Sequence, residues 1–82
     1  MIKVLIADDV LILCQGLNAI LKRDAEFEIT GMAQNGREAY ELCKENTPDV
    51  VLMDMQMPEY DGAYGIRKIK SEYLLLKVFI TE

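Results

Sequence analysis

The apolar positions of this chain change period several times along its length. Residues 2–7, IKVLIA, are apolar except for Lys3 and stop at Asp8-Asp9, the pattern of a buried strand. From Val10 to Arg23 the spacing becomes helical: Leu13, Leu17, Ile20 and Leu21 share one face, while Gln15, Asn18, Lys22 and Arg23 fall elsewhere. FEITGMA (27–33) alternates like a strand near a sheet edge, with Gly31 weakening it. NGREAYELCKEN (35–46) predicts a second helix. Asn35 is a good N-cap, Glu38 stands three residues later as in a capping box, and Ala39, Leu42 and Cys43 form the inner stripe. Pro48 ends that helix and DVVLM (49–53) predicts a strand. Asp61-Gly62 starts a third helix with Ala63, Ile66 and Ile69 inward and Arg67, Lys68 and Lys70 outward, and KVFIT (77–81) predicts a last strand.

Four strands alternating with three helices of ten or so residues predict right-handed crossovers and a parallel sheet. The fold class is therefore α/β, a doubly wound parallel sheet in one domain over residues 1–82, with no repeat and no linker. The first and third strands read as buried on both faces, as central parallel strands are. If the second and third strands flank the first, the winding reverses between the first and third. Ligands in such sheets sit at that reversal, outside the carboxyl ends of the strands. Asp8 and Asp9 end one of these strands and Asp54 ends the other, so three carboxylates should meet there.

Composition narrows the chemistry. The chain is 51% hydrophobic and 28% charged, with a net charge of −5 and no stripe of Lys or Arg. It is a poor nucleic-acid or membrane-surface binder by itself. A domain this small buries only about 60–65% of its unfolded surface, which makes it marginally stable. The longest apolar run, Val10 to Cys14, is too short to span a membrane, and acids appear by residue 8, unlike a signal peptide. Cys14 and Cys43 lack metal-ligand spacing and read as reduced thiols of a cytoplasmic protein. There is no His and a single Ser, Ser71, which excludes His-ligated metals and Ser-His-Asp or Cys-His nucleophiles. No Gly-rich nucleotide loop is present.

What remains is carboxylate chemistry. Three crowded acids repel unless positive charge joins them, and an all-oxygen donor set suits a hard ion, Mg²⁺ or Mn²⁺. Mg²⁺ accepts one or two carboxylates together with phosphate oxygens. Asp54, alone at its strand tip, is the candidate nucleophile for a phosphoryl group. Asp8 and Asp9 are candidate metal holders, with the backbone carbonyl of Gln56 within reach as a further ligand. Each motif also has a plainer reading. Asp8-Asp9 is a turn and helix cap, Asp54 a loop acid, Asp61-Gly62 a cap and turn, and Met53, Met55 and Met57 strand-end packing. Joint placement on one crevice favours the metal site.

The segments KVLIADDV, GMAQNGREAYEL and PDVVLMDMQMPEYDG together resemble the receiver domain of bacterial two-component response regulators. The similarity is strongest to the subfamily with a C-terminal helix-turn-helix output, and the expected architecture is flavodoxin-like. The resemblance implies that Asp54 is the phosphoacceptor, supplied by a histidine kinase or a small phosphodonor. It implies that Asp8, Asp9, Asp54 and the Gln56 carbonyl hold Mg²⁺, and that Thr81 is the switch hydroxyl. The implied function is a phosphoacceptor switch that assists only its own modification.

The departures carry their own expectations. The likeness ends after the fourth strand, so it implies a truncated receiver without the family's fifth strand and its phosphate-binding Lys, in which phosphorylation is slow or absent. Val10 stands where the subfamily often has His, and Thr81 comes one residue early. Leu74 and Leu75 replace a Pro and a polar residue, and SEYLLL could instead extend the third helix and supply cover. An open last strand and an uncovered first helix would promote self-association. Two other readings are a non-phosphorylated interaction fragment and an Asp-nucleophile phosphohydrolase. The latter needs a second Asp as general acid where this chain has Gln56.

Overall fold

The computed structural model of the chain describes residues 1–81. Its elements run β1 (Ile2–Ala7), α1 (Leu11–Lys22), β2 (Phe27–Ala33), α2 (Gly36–Glu45), β3 (Val50–Met53), α3 (Gly62–Glu72) and β4 (Lys77–Ile80). All four strands pair in parallel in the order β2-β1-β3-β4. β2 and β3 thus flank β1, the arrangement under which the winding reverses between β1 and β3.

Side chains alternate across the sheet, and each face has its own core. Leu5, Ala7, Val51 and Met53 meet Ala39 and Cys43 of α2 and Ile69 of α3. Val4 and Ile6 meet Cys14 of α1, with Leu17, Leu21 and Leu52 half-buried around them. The β1–β2 register shifts so that Thr30 is unmatched between Val4–Ile29 and Leu5–Gly31. The weakness expected at Gly31 is thus a bulge, where the Thr30 hydroxyl donates to the Val4 carbonyl at 3.3 Å.

Capping sets the helix starts. Asn35 Oδ1 accepts from the Glu38 N–H at 2.8 Å, and Glu38 Oε1 accepts from the Gln34 N–H at 2.7 Å. The box closes one residue earlier than the usual form. Asp61 Oδ1 accepts from the Tyr64 N–H at 2.9 Å and caps α3.

Several expected orientations are different. Ala63 is exposed, and α3 instead turns Gly62, Gly65 and Ile69 inward. A Cβ on Gly36 would run into the Asp61 carbonyl and the Gly65 backbone, so these glycines allow α2 and α3 to touch closely. On α1, Leu13 and Ile20 are exposed while Cys14 is buried. Helix α3 stops before Leu74 and Leu75, which stay exposed, and only Leu76 of that run enters the core. Lys70 is not simply solvated: its Nζ donates to the Leu74 and Leu76 carbonyls at 2.9 and 2.7 Å. β3 is buried on one face only, since Val50 and Leu52 are half-buried. Among the described residues, no helix is long and apolar enough to cross a membrane.

Candidate metal and phosphoacceptor site

The sheet brings the carboxyl ends of β1 and β3 side by side. The Asp8 N–H donates to the Ala33 carbonyl and the Asp54 N–H to the Ala7 carbonyl, both at 2.9 Å, so the ladder continues one residue beyond each strand. At that point both chains turn in the same way. Asp8 Oδ1 accepts from the Val10 N–H at 2.9 Å and Asp54 Oδ1 from the Gln56 N–H at 3.0 Å. These are Asx turns, the plainer reading of each motif, and both are present. They also fix each carboxylate by one oxygen and leave the other free to face the crevice.

One carboxylate oxygen each from Asp8, Asp9 and Asp54 lies within 4.8 Å of the others. Asp8 and Asp54 are buried, 5% and 7% exposed, and Asp9 is exposed. Burial pushes the Asp8 carboxyl above the usual carboxylate range, and the charges of Asp54 and Asp9 push it further, against the pull of the Val10 N–H. Among the described residues the ion pair within 4.0 Å is Arg37–Glu41, so no basic side chain pairs with any of the three acids. Three close oxygens, two of them desolvated and without a cation, fit a hard divalent ion.

The loop after Asp54 is held by backbone packing. A Cβ on Gly62 would collide with the Asp54 carbonyl and Met55, and the Gly62 N–H donates to the Met55 carbonyl at 3.2 Å. Sequence reading takes Gly62 for a turn residue. Its second role, letting the loop fold back on the end of β3, has no signature in residue type. Within the loop the Tyr60 N–H reaches the Pro58 carbonyl at 2.7 Å across Glu59, whose φ is 66°. A non-glycine residue there stores backbone strain beside the site.

Thr81 is exposed, and its N–H donates to the Met53 carbonyl at 2.9 Å. With Asp8, Leu13 and Leu17 it lines a groove of about 270 Å³ beside the acids. A larger groove, about 580 Å³, lies at the other end of the sheet among Thr47, Pro48 and Leu74–Leu76, away from the acid cluster. The chemistry singles out the smaller one. Cys14 lies close by, donating its Sγ–H to the Asp8 carbonyl at 3.1 Å. Burial pushes that thiol above its ordinary value, and the charge of Asp8 adds to the shift.

The model of the response regulator receiver domain matches residues 4–81. The chain belongs to the response regulator receiver family. Among its relatives, the transcriptional regulatory protein LnrK of Bacillus subtilis is 41% identical over 80 residues, covering 98% of this chain and 36% of LnrK. A protein-glutamate methylesterase/protein-glutamine glutaminase of Carboxydothermus hydrogenoformans is 47% identical over 68 residues, covering 83% of this chain and 19% of that protein. A crystal structure of the CheX–CheY–BeF3–Mg complex from Borrelia burgdorferi superimposes with a TM-score of 0.90 at 28% identity, over 96% of this chain and 60% of that one.

This receiver spans a fifth to about a third of the length of those two relatives. It is a regulatory phosphoacceptor domain of two-component signalling with the flavodoxin-like receiver fold. Receiver domains as a family bind Mg²⁺ at an acidic pocket and interact with histidine kinases and phosphodonors.

Proposed function

We propose that this receiver accepts a phosphoryl group on Asp54, with Asp8, Asp9, Asp54 and the Gln56 backbone carbonyl holding Mg²⁺ or Mn²⁺. The observation that carries the reading is the meeting of three carboxylates without a cation, two of them buried, at the winding reversal of the sheet. Asp54 is the nucleophile because it stands alone just past the end of β3, with one oxygen held by the Gln56 N–H and the other free. The free oxygen attacks the phosphorus of a histidine phosphoramidate or a small acyl phosphate. A P–O bond to Asp54 forms while the donor's P–N or P–O bond breaks, and the leaving group departs with the electron pair. The bound ion would offset the negative charge of the incoming phosphoryl oxygens. Thr81, on the same groove, supplies the hydroxyl that turns toward the phosphoryl group.

The chain acts as a switch and not as an enzyme on a metabolite. The Gln56 side chain cannot serve as the general acid that a phosphohydrolase needs at that place. In the full-length protein the phosphorylated receiver controls a transcriptional output, a reading supported by the 41% identity to LnrK. With net charge −5 the receiver segment makes no direct nucleic-acid contact, and its free, buried thiols suit the cytoplasm. The mapping experiment is incubation with acetyl phosphate and Mg²⁺ followed by peptide mass spectrometry. The phosphoryl group is expected on the peptide containing Asp54, and a phosphoryl group on any other acid would overturn the assignment.

A second reading concerns the 82-residue chain by itself. Phe79 and Ile80 of the edge strand β4 are 56% and 60% exposed, and Leu13 and Ile20 of α1 are 53% and 62% exposed. The chain self-associates through the β4 edge or the α1 face.

A further inference from the structure

We propose that Arg37 and Tyr60 are positioning residues for the metal: together they clamp the loop that carries the Gln56 carbonyl. The inference rests on the metal-site reading above. Gln56 is exposed and belongs to the loop between β3 and α3. The near half of that loop is anchored by the site and the core. The Asp54 carboxylate accepts from the Gln56 N–H at 3.0 Å, and Met57 is buried. The far half is strained. Glu59 has a φ of 66°, a conformation that side chains disfavour, and both Pro58 and Glu59 are exposed. Such a conformation persists only where the surroundings over-determine it.

Tyr60 supplies that restraint. Its carbonyl accepts from the N–H of Gly36, the first residue of α2, at 2.5 Å. Its half-buried ring touches both helices. The Arg37 guanidinium of α2 lies 5.6 Å from the ring centroid, and the Tyr64 ring of α3 packs at 4.9 Å. Arg37 Nε also pairs with Glu41 at 3.5 Å, one turn along α2, which aims the guanidinium. Tyr60 is thus tied to α2 by its backbone and by its side chain. Lys44 makes a similar contact over Tyr40 at 5.1 Å, but that pair touches no residue of the loop.

The charge of Arg37 separates a clamp from plain electrostatics. Mg²⁺ is a cation, so removing a positive side chain would by charge alone strengthen its binding or leave it unchanged. Loss of a clamp weakens it. Isothermal titration calorimetry of Mg²⁺ into the chain reads the difference. Arg37→Ala is expected to raise the Mg²⁺ dissociation constant about two- to fivefold, the worth of an exposed cation–π contact. Tyr60→Leu is expected to do the same, and the double variant to lose no more than either alone, because the pair acts as one unit. Tyr60→Phe keeps the ring and is expected to keep the parent affinity. Lys44→Ala is expected to leave the affinity unchanged. An Arg37→Ala dissociation constant equal to or below the parent's, an unchanged value in Tyr60→Leu, or additive losses in the double variant would overturn the clamp while the metal site stands. If the unsubstituted chain binds no Mg²⁺, the metal reading falls and the clamp with it.

Discussion

On the α2–α3 side of the sheet, Leu5, Ala7, Val51 and Met53 disappear beneath Ala39, Cys43 and Ile69, and two helices meet at Gly36 and Gly65. On the α1 side, Val4, Ile6 and Cys14 form a small buried cluster, and Leu13, Ile20 and Phe79 remain open. The closed side positions the chemistry. It holds the loop after Asp54 through Gly62 and presses the Tyr60 carbonyl onto the Gly36 N–H. The open side borders the groove between Asp8 and Thr81 and leaves large apolar side chains exposed. Close packing and exposed apolar surface are therefore divided between the two faces of one sheet, with the acids on the rim they share.

The same kind of substitution should have opposite signs on the two sides. Gly36→Val would drive a side chain into the Asp61 carbonyl and the Gly65 backbone, at a cost of about 3 kcal/mol or more in urea unfolding. Gly16→Ala meets open space and should stabilise the monomer by about 0.5–1 kcal/mol through helix propensity. Truncating one isoleucine on each side sharpens the contrast. Ile69→Ala should cost about 3 kcal/mol, and Ile20→Ala no more than about 0.5 kcal/mol.

On the shared rim, Mg²⁺ should stabilise the chain against thermal unfolding by about 2.7 kcal/mol at a hundredfold excess over its dissociation constant. Asp8→Asn should lose most of that gain, since it removes one of the two buried oxygen donors. The smallest effect lies on the outside of the closed face. The Tyr40 hydroxyl donates to Glu72 at 2.6 Å, which, with burial, pushes its pKa up to about 12. Because the folded value is raised, this contribution is present below the ordinary phenol value of 10.0 and is lost between there and about 12. Tyr40→Phe should be less stable than the parent at neutral pH, and the difference should shrink across that window in pH-dependent unfolding.

Much of the closed face and the rim is legible in the residues. Apolar runs that end at Asp8 and Asp54 place both acids at the same end of a parallel sheet, but the strand order that sets the winding reversal beside them is seen only in the structure. Asn35 and Glu38 announce the start of α2. The phase of α3 is hidden because two of its three buried residues are glycines, chosen for close approach and not for hydrophobicity. The phase of α1 is hidden for the opposite reason. Leu11, Ile12, Leu13 and Cys14 are all apolar, so hydrophobicity does not mark which of them turns to the sheet, and Cys14 does. Lys70 reads as a solvated charge because its partners are backbone carbonyls of a loop, which residue types do not reveal.

The most direct test of the account is intact-mass spectrometry of the chain after incubation with acetyl phosphate, with and without Mg²⁺, beside Asp54→Asn. The account predicts a slow, Mg²⁺-dependent gain of one phosphoryl group (~80 Da) that the variant lacks, slow because the phosphate-binding Lys expected of the family is not in these residues. An equal gain without Mg²⁺, or one that persists in Asp54→Asn, would contradict the claim that the three acids form one metal-dependent phosphoacceptor site.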